Sequence, residues 1–580
     1  MNQHHSPFLA GLVVTATLIF SGCSAGTSEA ADTASSVTGP VAEVSYDDLG
    51  IDDADLSFDL TEAIDVTLDD GASAAGNGVS VDGDTITIDT AGTYRLHGTL
   101  TSGSITVDAG EGVVSLILDG VDITAADVAA INVVEADHVV VWLADGSDNK
   151  LADADGTTVD ETAEDAPNAT LFSRADLWLA GTGSLSVTAH AADAITSKDS
   201  LVVTGGDVTV VAADDGVRGK DHLVITGGSL SLNVEGDALR SDNEAITDDP
   251  DAAVGVIWID GGSLDLVAGS DAMDAARQVT VQSGTVKVAA GDDGIHSDNV
   301  LRIAGGEIAI TESVEGIEGA YMYLSGGTVT VVSSDDGINV SGGVEELTDS
   351  TEETADRAAV GPDAAVGPDA AGGPPGSGPQ VDTQDPTAEP ASDLASVTVA
   401  AMDGSGFGGP AEGDNGDRFL ELSGGTYVID TTSDGVDVNG SLVMTGGTLV
   451  VSGTEDVRNG ALDVDDSFTI SGGTLAASGM ATMAVAPGQD STQATLALTF
   501  GGTVPAGTLI TIADDAGTQM ASFTTPKASN SYIYSSDDLR GGNGYTILVG
   551  GQVTGTATGW LVLGGTASEG YGIGTVVASG

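Results

Sequence analysis

The chain has 580 residues and a formal net charge of −74, from 89 acidic and 15 basic side chains. This charge argues against nucleic acid as a partner, because binding a phosphate backbone needs the opposite excess, and it favours cations. Cys23 is the single cysteine, which excludes a disulfide framework and a cysteine metal site. With 83 glycines, 4% aromatic and 41% apolar residues, the composition favours an all-β solenoid with thin turns and an aliphatic interior.

The amino terminus has the features of an export signal. Residues 7–20 form an apolar run that is too short to span a bilayer and suits the hydrophobic region of a signal peptide. The following Phe20-Ser21-Gly22-Cys23 resembles a bacterial lipobox, although Leu is commoner than Phe at that position and the segment before the apolar run lacks Lys and Arg. We predict a lipoprotein signal peptide at 1–23, lipidated at Cys23, and an extracellular protein anchored to the cell membrane. An ordinary cleaved signal with an incidental cysteine is the alternative.

The rest of the chain divides by composition. Small polar residues after Cys23 predict a flexible tether, and alternating segments near Thr85 and Gly92 predict strands that cover the first rung. A stretch with two copies of Ala-Ala-Val-Gly-Pro-Asp and many Pro, Gly and acidic residues cannot bury enough apolar surface to become ordered. The predicted segments are a tether at 24–45, an N-terminal cap with the first strands at 46–100, β-helix rungs at 101–343, a disordered low-complexity insertion at 344–416, further rungs at 417–480 and a small C-terminal β-rich cap at 481–580.

A short motif recurs about every 22 residues: an acidic residue, then Gly or Ala, then an aliphatic residue, followed a dozen positions later by Gly-Gly and an alternating strand. The acidic positions are Asp193, Asp215, Asp237, Asp271, Asp293, Glu315, Asp336 and Asp434. Such a period predicts stacked rungs of two or three short strands each. We therefore predict a parallel β-helix with ladders of Val, Ile and Leu inside. A globular β-sandwich is the weaker alternative, because it would lack the fixed recurrence.

Stacked rungs would place the acidic positions in a column about 4.8 Å apart. Two unit charges at that spacing repel by roughly 3 to 4 kcal/mol at an effective dielectric of about 20. Calcium binds oxygen ligands, so one ion fits between carboxylates of successive rungs. The alternative is that Asp-Gly is a favoured turn dipeptide whose side chain bonds its own backbone. The predicted calcium ligands are Asp193, Asp214, Asp215, Asp237, Asp271, Asp292, Asp293, Glu315, Asp335 and Asp336.

A second column lies three residues after the acid. Its members are Thr196, Arg218, Arg240, Asp274, His296, Glu318, Asn339 and Asp437, and Lys198 and Lys220 follow two positions after the first two. Outward cationic groups on successive rungs could pair with the carboxylates of a uronic-acid chain. The alternative is that they only balance the neighbouring Asp column. The predicted ligand-binding residues are Lys198, Arg218, Lys220, Arg240 and His296.

Catalysis is the competing class of function. A polysaccharide lyase needs a base near calcium, and Lys198 and Lys220 each precede an Asp. An adjacent unneutralised carboxylate favours the charged form of Lys, which opposes action as a base. We therefore expect no enzyme, with a calcium-dependent lyase as the alternative. A calcium-stiffened structural or adhesion protein is a third possibility, and exposed aromatic side chains along one face would favour glycan binding over it. The candidates are Tyr321, Tyr323 and Trp258.

Several runs carry a family resemblance that extends from about residue 80 to the carboxyl terminus. They are Gly92-Thr93-Tyr94-Arg95-Leu96, Leu116-Ile117-Leu118-Asp119-Gly120, Pro167-Asn168-Ala169, Asp176-Leu177-Trp178-Leu179 and the repeated Asp-Gly and Gly-Gly units. They resemble secreted bacterial carbohydrate-binding domain-containing proteins with a polysaccharide-lyase-like β-helix. The resemblance implies a right-handed parallel β-helix, binding of cellulose-like and pectin-like polysaccharides, bound calcium and no lyase activity. We expect a monomer.

Overall fold

The computed structural model describes residues 43–51, 56, 60–159, 166–243, 252–342, 397–398, 418–568 and 570–579. The predicted signal peptide with Cys23, most of the predicted tether and the predicted insertion, apart from Val397 and Thr398, lie outside these residues. All the described residues belong to one unit. Among them no helix is long and apolar enough to cross a membrane.

The described residues form β-strands with only short 3-10 helices, at Tyr46–Leu49, Leu60–Glu62 and Ala481–Met483. The strands before the regular repeat are β1 (Ile64–Leu68), β2 (Val79–Asp82), β3 (Thr85–Ile88), β4 (Gly92–Leu100), β5 (Ser104–Asp108), β6 (Val114–Thr124), β7 (Ile131–Glu135), β8 (His138–Leu143) and β9 (Asp148–Ala152).

The regular repeat is built from β10 (Ala169–Ser173), β11 (Asp176–Gly181), β12 (Ser184–Ala189), β13 (Asp193–Ser197), β14 (Leu201–Val203), β15 (Asp207–Ala212), β16 (Val217–Gly219), β17 (His222–Ile225), β18 (Ser229–Val234), β19 (Leu239–Ser241), β20 (Val256–Ala268), β21 (Met273–Ala275), β22 (Gln278–Ala290), β23 (Ile295–Ile303), β24 (Glu307–Glu312), β25 (Ile317–Leu324), β26 (Thr328–Ser333) and β27 (Ile338–Val340).

The strands after it are β28 (Val397–Thr398), β29 (Phe419–Leu422), β30 (Thr426–Thr431), β31 (Val436–Val438), β32 (Ser441–Met444), β33 (Thr448–Ser452), β34 (Asp463–Val464), β35 (Phe468–Ile470) and β36 (Thr474–Gly479). The carboxyl-terminal strands are β37 (Thr495–Val504), β38 (Leu509–Ala513), β39 (Gln519–Thr524), β40 (Ser529–Ser535), β41 (Gly544–Val549), β42 (Gln552–Thr554), β43 (Ala557–Thr558), β44 (Leu561–Leu563), β45 (Thr566–Ser568) and β46 (Tyr571–Val577).

Three ladders of parallel strands make up the solenoid. The first runs through β10, β13, β16, β19 and β21 to β27, β31 and β34. The second runs through β8, β11, β14 and β17 to β29, β32 and β35. The third runs through β9, β12, β15 and β18 to β30, β33 and β36. The all-β, parallel-strand solenoid predicted from the sequence period is therefore confirmed.

The interior consists of aliphatic columns, one side chain per rung. In the second ladder Leu201, Leu223 and Ile257 pair in register, and all three are fully buried. The side chains before and after each of them along the strand point to the opposite face of the sheet, as expected for a period of two. The hydrophobic core is therefore one continuous column of contacts along the stack.

The repeated Gly-Gly pairs have two separate physical causes. A Cβ on Gly305 would lie 2.2 Å from the carbonyl oxygen of Gln282 in the rung above, so only glycine lets the rungs stack at this turn. Gly306 has φ +86°, in the left-handed region that side chains rarely adopt. In this pair the first glycine is required by the close approach between rungs, and the second by the left-handed backbone conformation of the turn.

A segment before the first strand lies against the outside of the second ladder. The backbone N–H of Val44 donates to the Gln278 side chain at 3.0 Å, and the Gln278 amide nitrogen donates back to the Val44 carbonyl at 2.8 Å. The Tyr46 ring lies 5.7 Å from that of Trp258. This segment covers an outward apolar column of the second ladder.

Antiparallel strands close the carboxyl end of the stack. β40 pairs antiparallel with β36 of the last rung and with β37, so the final strand is not left as an open edge. β28 pairs antiparallel with β37. A six-stranded sheet in the order β43-β44-β39-β38-β41-β46 and the pair β42–β45 complete this region.

Candidate functional site

The repeated acidic residues lie in register where the strands of the first ladder begin. Ile195 pairs with Val217, and Val217 with Leu239, which aligns the acids two positions before each of them. We call this row the acidic edge; it comprises Asp193, Asp215, Asp237, Asp271, Asp293, Glu315, Asp336 and Asp434. The predicted column therefore exists in the fold.

Most of these carboxylates accept a hydrogen bond from the backbone of the next rung. The N–H of Asp237 donates to Asp215 at 3.0 Å, that of Asp271 to Asp237 at 3.0 Å and that of Asp293 to Asp271 at 2.7 Å. Further along, the backbone N–H of Asp434 donates to the Asp336 carboxylate at 3.0 Å. One oxygen of each accepting carboxylate thus satisfies a turn donor. The alternative interpretation of Asp-Gly, in which the side chain bonds turn backbone, therefore applies here, but the backbone it bonds belongs to the next rung.

The first half of the edge contains its own positive charges. Arg218 makes a two-pronged contact with Asp242, and its other terminal nitrogen lies 3.6 Å from Asp193. Arg240 lies 3.2 Å from Asp215 and 3.0 Å from Asp237, as well as 3.6 Å from Asp274. Both guanidinium groups are thus engaged by carboxylates of the protein. Their predicted role as glycan ligands stays a prediction.

His296 occupies the same column and is also paired. Its Nδ1 lies 3.2 Å from Asp274, and its Nε2 lies 3.7 Å from Asp298. Burial lowers the pKa of His296, but the hydrogen bond to Asp274 and the surrounding carboxylates outweigh it and raise the pKa to about 10. His296 therefore carries a positive charge at neutral pH and marks the end of the basic part of the column.

Three clusters in the described part of the chain bring potential metal-binding atoms within 4.8 Å of one another. They are Asp193 with Asp214 and Asp215, Asp271 with Asp274 and His296, and Asp293 with Glu315 and Glu318. Arg218 borders the first cluster, and Arg240 borders the second, which also includes the charged His296. The third cluster, like the first, consists of carboxylates, and the charged His296 lies beside its Glu318, whose pKa is lowered in part by that charge.

The third cluster brings three buried or half-buried carboxyls close together. Burial raises the pKa of Asp293 and of Glu315, and their mutual repulsion with Glu318 adds to the rise. Asn339 donates its amide N–H to Glu315 at 2.7 Å, and Ser341 donates to Glu318. Asn339 is only 8% exposed, and its Oδ1 has no hydrogen-bond partner among the described atoms. The three carboxylates form an all-oxygen donor set, which is what calcium prefers.

The column continues as acids beyond Asn339. Burial raises the pKa of Asp437 to about 7, and the charges of Asp336, Asp463, Asp434 and Asp465 contribute. Burial also raises the pKa of Asp434 to about 6. The second half of the edge therefore concentrates negative charge in a partly desolvated position, which favours either protons or bound cations.

The remaining predicted residues are more scattered. Asp292 and Asp335 fall outside the three clusters, and Asp335 is exposed. Lys198 is half-buried, with its Nζ 6.0 Å from the centre of the Phe172 ring. Its pKa is lowered, chiefly by burial and next by the charge of Arg218, against the opposing effect of Asp193. Nearby carboxylates do favour the charged form of Lys198, as expected, but burial outweighs them and the net shift of its pKa is downward.

The sequence-based prediction missed Asp274 and Glu318, which belong to the candidate metal-binding clusters, and Asn339, which contacts one of them. All three stand in the column read as basic, three residues after an acid, where Glu318 pairs in register with His296 and Asn339. The signal was present in the sequence, because the column changes from Arg to acidic and amide residues partway along. That change marks where the arginine partners of the acidic edge end.

The candidate aromatic residues do not form an open row. Trp258 is 7% exposed beneath Tyr46, and Tyr321 is 5% exposed. Tyr323 is half-buried, with the Arg302 guanidinium 4.3 Å from its ring centre and the Phe419 ring 5.1 Å away. These rings are used mainly in packing on the outside of the second ladder.

Together, the ladders and the edge define an acidic parallel β-solenoid with stacked carboxylates. Residues 82–349 match a family described as "Carbohydrate-binding domain-containing protein". A relative of that name from Acetivibrio thermocellus is 45% identical over 206 residues, which cover 35% of this chain and 70% of the relative. The chain belongs to this carbohydrate-binding domain-containing family.

A solved structure is also similar, the one titled "Structure of the polysaccharide lyase-like protein from C. thermocellum, Gadolinium derivative". It is 33% identical, and the match covers 42% of this chain and 97% of that one. The TM-score is 0.40, a value too low to define a shared overall shape.

Proposed function

We propose that this chain is a cell-surface protein that binds plant-type or acidic polysaccharide, of cellulose-like or pectin-like chemistry, without cleaving it. In this proposal the solenoid is a right-handed β-helix stabilised by calcium. The chain is a monomer tethered to the membrane through a lipid on Cys23. Membership of the carbohydrate-binding family supports the polysaccharide partner.

The observation that carries the calcium part is the cluster of Asp293, Glu315 and Glu318. It contains three carboxylates at mutual ligand distance, and an amide oxygen without a partner belongs to the side chain that contacts it. Bound calcium would add positive charge to a cluster that has His296 but no arginine beside it in the column, and it could also accept a uronate carboxylate. Asn339 and Ser341 orient Glu315 and Glu318 by direct hydrogen bonds, so the cluster is already ordered for an ion.

The test is retention of the full chain, in mild detergent, by polygalacturonate in affinity electrophoresis with calcium or with chelator. We expect retention in calcium and its loss in chelator. Glu318→Gln should weaken the calcium-dependent retention about tenfold, since it removes one of the charges that hold the ion.

The matched control is Glu111→Gln, which makes the same change at an exposed turn residue outside the clusters. It should behave as the unmodified chain does. Equal retention with and without calcium would contradict the proposal, and so would an equal loss in both variants.

The lowered pKa of Lys198 favours a calcium-dependent lyase as the second candidate function. A neutral amine could remove the proton next to a uronate carboxylate, and Lys198 lies near Asp193 of the first cluster. Incubation with polygalacturonate would then release absorbance from unsaturated uronate, and Lys198→Ala would abolish it. No absorbance above that of the Lys198→Ala variant would exclude this candidate.

A further inference from the structure

The outward side of the third ladder is a regular surface of short polar side chains. On β15 and β18 every second residue is buried, and the residues between them are exposed. We call the outward residues of β12, β15, β18, β20, β22, β24 and β26 the hydroxyl face. Ser and Thr predominate on it: Ser184, Ser186, Thr188, Thr209, Ser229, Ser231, Ser263, Thr285, Thr311, Thr328 and Thr330.

This face is poor in charge although the chain as a whole is strongly acidic. Its charged side chains are Asp207, Asp265, Lys287, Glu307 and Glu312. Asp265 and Lys287 neutralise each other at 3.2 Å. The face therefore carries only a small part of the net charge of −74 and differs sharply from the acidic edge.

Hydroxyl groups recur in register on several rungs of the face. In its central column Ser186, Thr209 and Ser231 pair in register on successive strands. The column then passes through Asp265, Lys287 and Ala309 before it reaches Thr330. At about 4.8 Å per strand, the seven strands extend over roughly 29 Å, with one register shift between Val288 and Ala289. A repeating array of donors and acceptors suits a repeating ligand.

Apolar contacts accompany the hydroxyls. Val211, Val267 and Val332 are exposed by 48%, 42% and 48%. Val211 and Val267 lie two residues after the central-column residue of their strands, on the same face of the sheet. Sugar rings present both hydroxyl groups and C–H groups. A surface with hydroxyls beside methyl groups offers partners for both.

The same ladder is already a docking surface at its far end. There the outward column becomes Val428, Val450 and Ala476, and the carboxyl-terminal region covers it. A Cβ placed on Gly559 would lie 2.7 Å from a Val428 methyl, which shows how closely that region approaches. The face is thus apolar where the chain covers it and polar where it stays open, so the open part suits a polar occupant.

We propose that the hydroxyl face is a binding site for a neutral polysaccharide, separate from the acidic edge. The inference rests on the proposed carbohydrate-binding function and assigns its uncharged ligand to this surface. An acidic polymer would meet Lys287 as the single cation of the face, already paired. A second copy of the chain would bring two strongly acidic molecules together, which net charge opposes.

The test is co-sedimentation of the full chain, in mild detergent, with insoluble β-1,4-glucan in chelator, so that calcium at the edge does not contribute. The variant Ser231→Arg with Thr330→Arg places long side chains in the central column. We expect its binding to the glucan to fall at least tenfold. The control variant, Ser80→Arg with Thr85→Arg, changes exposed residues of β2 and β3 and should bind like the unmodified chain.

The outcomes separate this inference from the proposed function. Retention by polygalacturonate in calcium with no binding to the neutral glucan would overturn the inference and leave the proposed function standing. Equal glucan binding by the face variant and the control would also overturn it. Analytical ultracentrifugation that showed a dimer dissociated by the face substitutions would assign the surface to a second copy and overturn it as well.

Discussion

The two halves of the acidic edge share one backbone arrangement but obtain their positive charge differently. From Asp193 to Asp274 the stacked carboxylates are met by Arg218 and Arg240. From Asp293 onward the same column offers His296, Glu318, Asn339 and Asp437 and contains no arginine. Burial raises carboxyl pKa values in both halves. The comparison teaches that carboxylates of the row accept turn hydrogen bonds in both halves, whereas arginine partners occur in the first half alone among the described residues. The calcium that we propose belongs to the half without arginine.

The largest expected effect follows from removing the arginine of the first half. Arg240→Gln would leave Asp215, Asp237 and Asp274 without their shared partner. Because the side chain is 33% exposed, we expect a loss of about 2 kcal/mol, less than the full cost of breaking a buried pair. Urea denaturation in chelator measures it, and calcium should restore part of the loss.

The control for this variant is Arg95→Gln, whose ion pair with Asp119 is 50% exposed on the arginine side. It should lose less than about 1 kcal/mol and gain nothing from calcium. Equal losses of stability in the two variants would mean that the ion pairs of the acidic edge contribute no more than an exposed surface pair.

An intermediate effect should follow from giving the second half its own arginine. Glu318→Arg would place a guanidinium beside Asp293 and Glu315, in the column that holds Arg240 further up. We expect the rise in melting temperature on adding calcium to fall by at least half, because the fixed cation replaces the bound one. A calcium response as large as that of the unmodified chain would show that the ion binds elsewhere.

The last expected effect concerns pH and is spread over several pH units. Burial raises the pKa of Asp271 and of Asp437 from 3.8 to about 7, so the folded state holds these protons more tightly than the unfolded state. Their stabilising contribution is complete below about pH 3.8 and disappears as pH rises to about 7. In chelator, the melting temperature should therefore fall by a few degrees over that window.

The difference between the unmodified chain and Asp437→Asn isolates one of these groups. The variant cannot ionise at this position and should show a shallower decline between pH 4 and pH 7. Parallel profiles for the two proteins would contradict the assignment, because they would show that Asp437 titrates alike in both states.

Much of the architecture could be predicted from local pattern alone. The alternation of buried and exposed residues is visible within a single rung, and the 22-residue recurrence appears when successive rungs are compared along the sequence. The Gly-Gly pairs indicated turns, but the approach of Gly305 to the Gln282 carbonyl involves the rung above and was not predictable from local turn chemistry. The domain boundaries and the lipid on Cys23 stay predictions.

By itself, the sequence determined that acidic residues recur in register, because a fixed period on stacked strands leaves no other placement. Tertiary structure decided what each carboxylate contacts. Arg240 reaches carboxylates on three rungs and Glu318 faces Asp293 from the next rung, and such contacts depend on side-chain reach between turns far apart in the chain. Tertiary structure also decided which outward face stays open, since the carboxyl-terminal region covers Val450 and leaves Thr209 exposed.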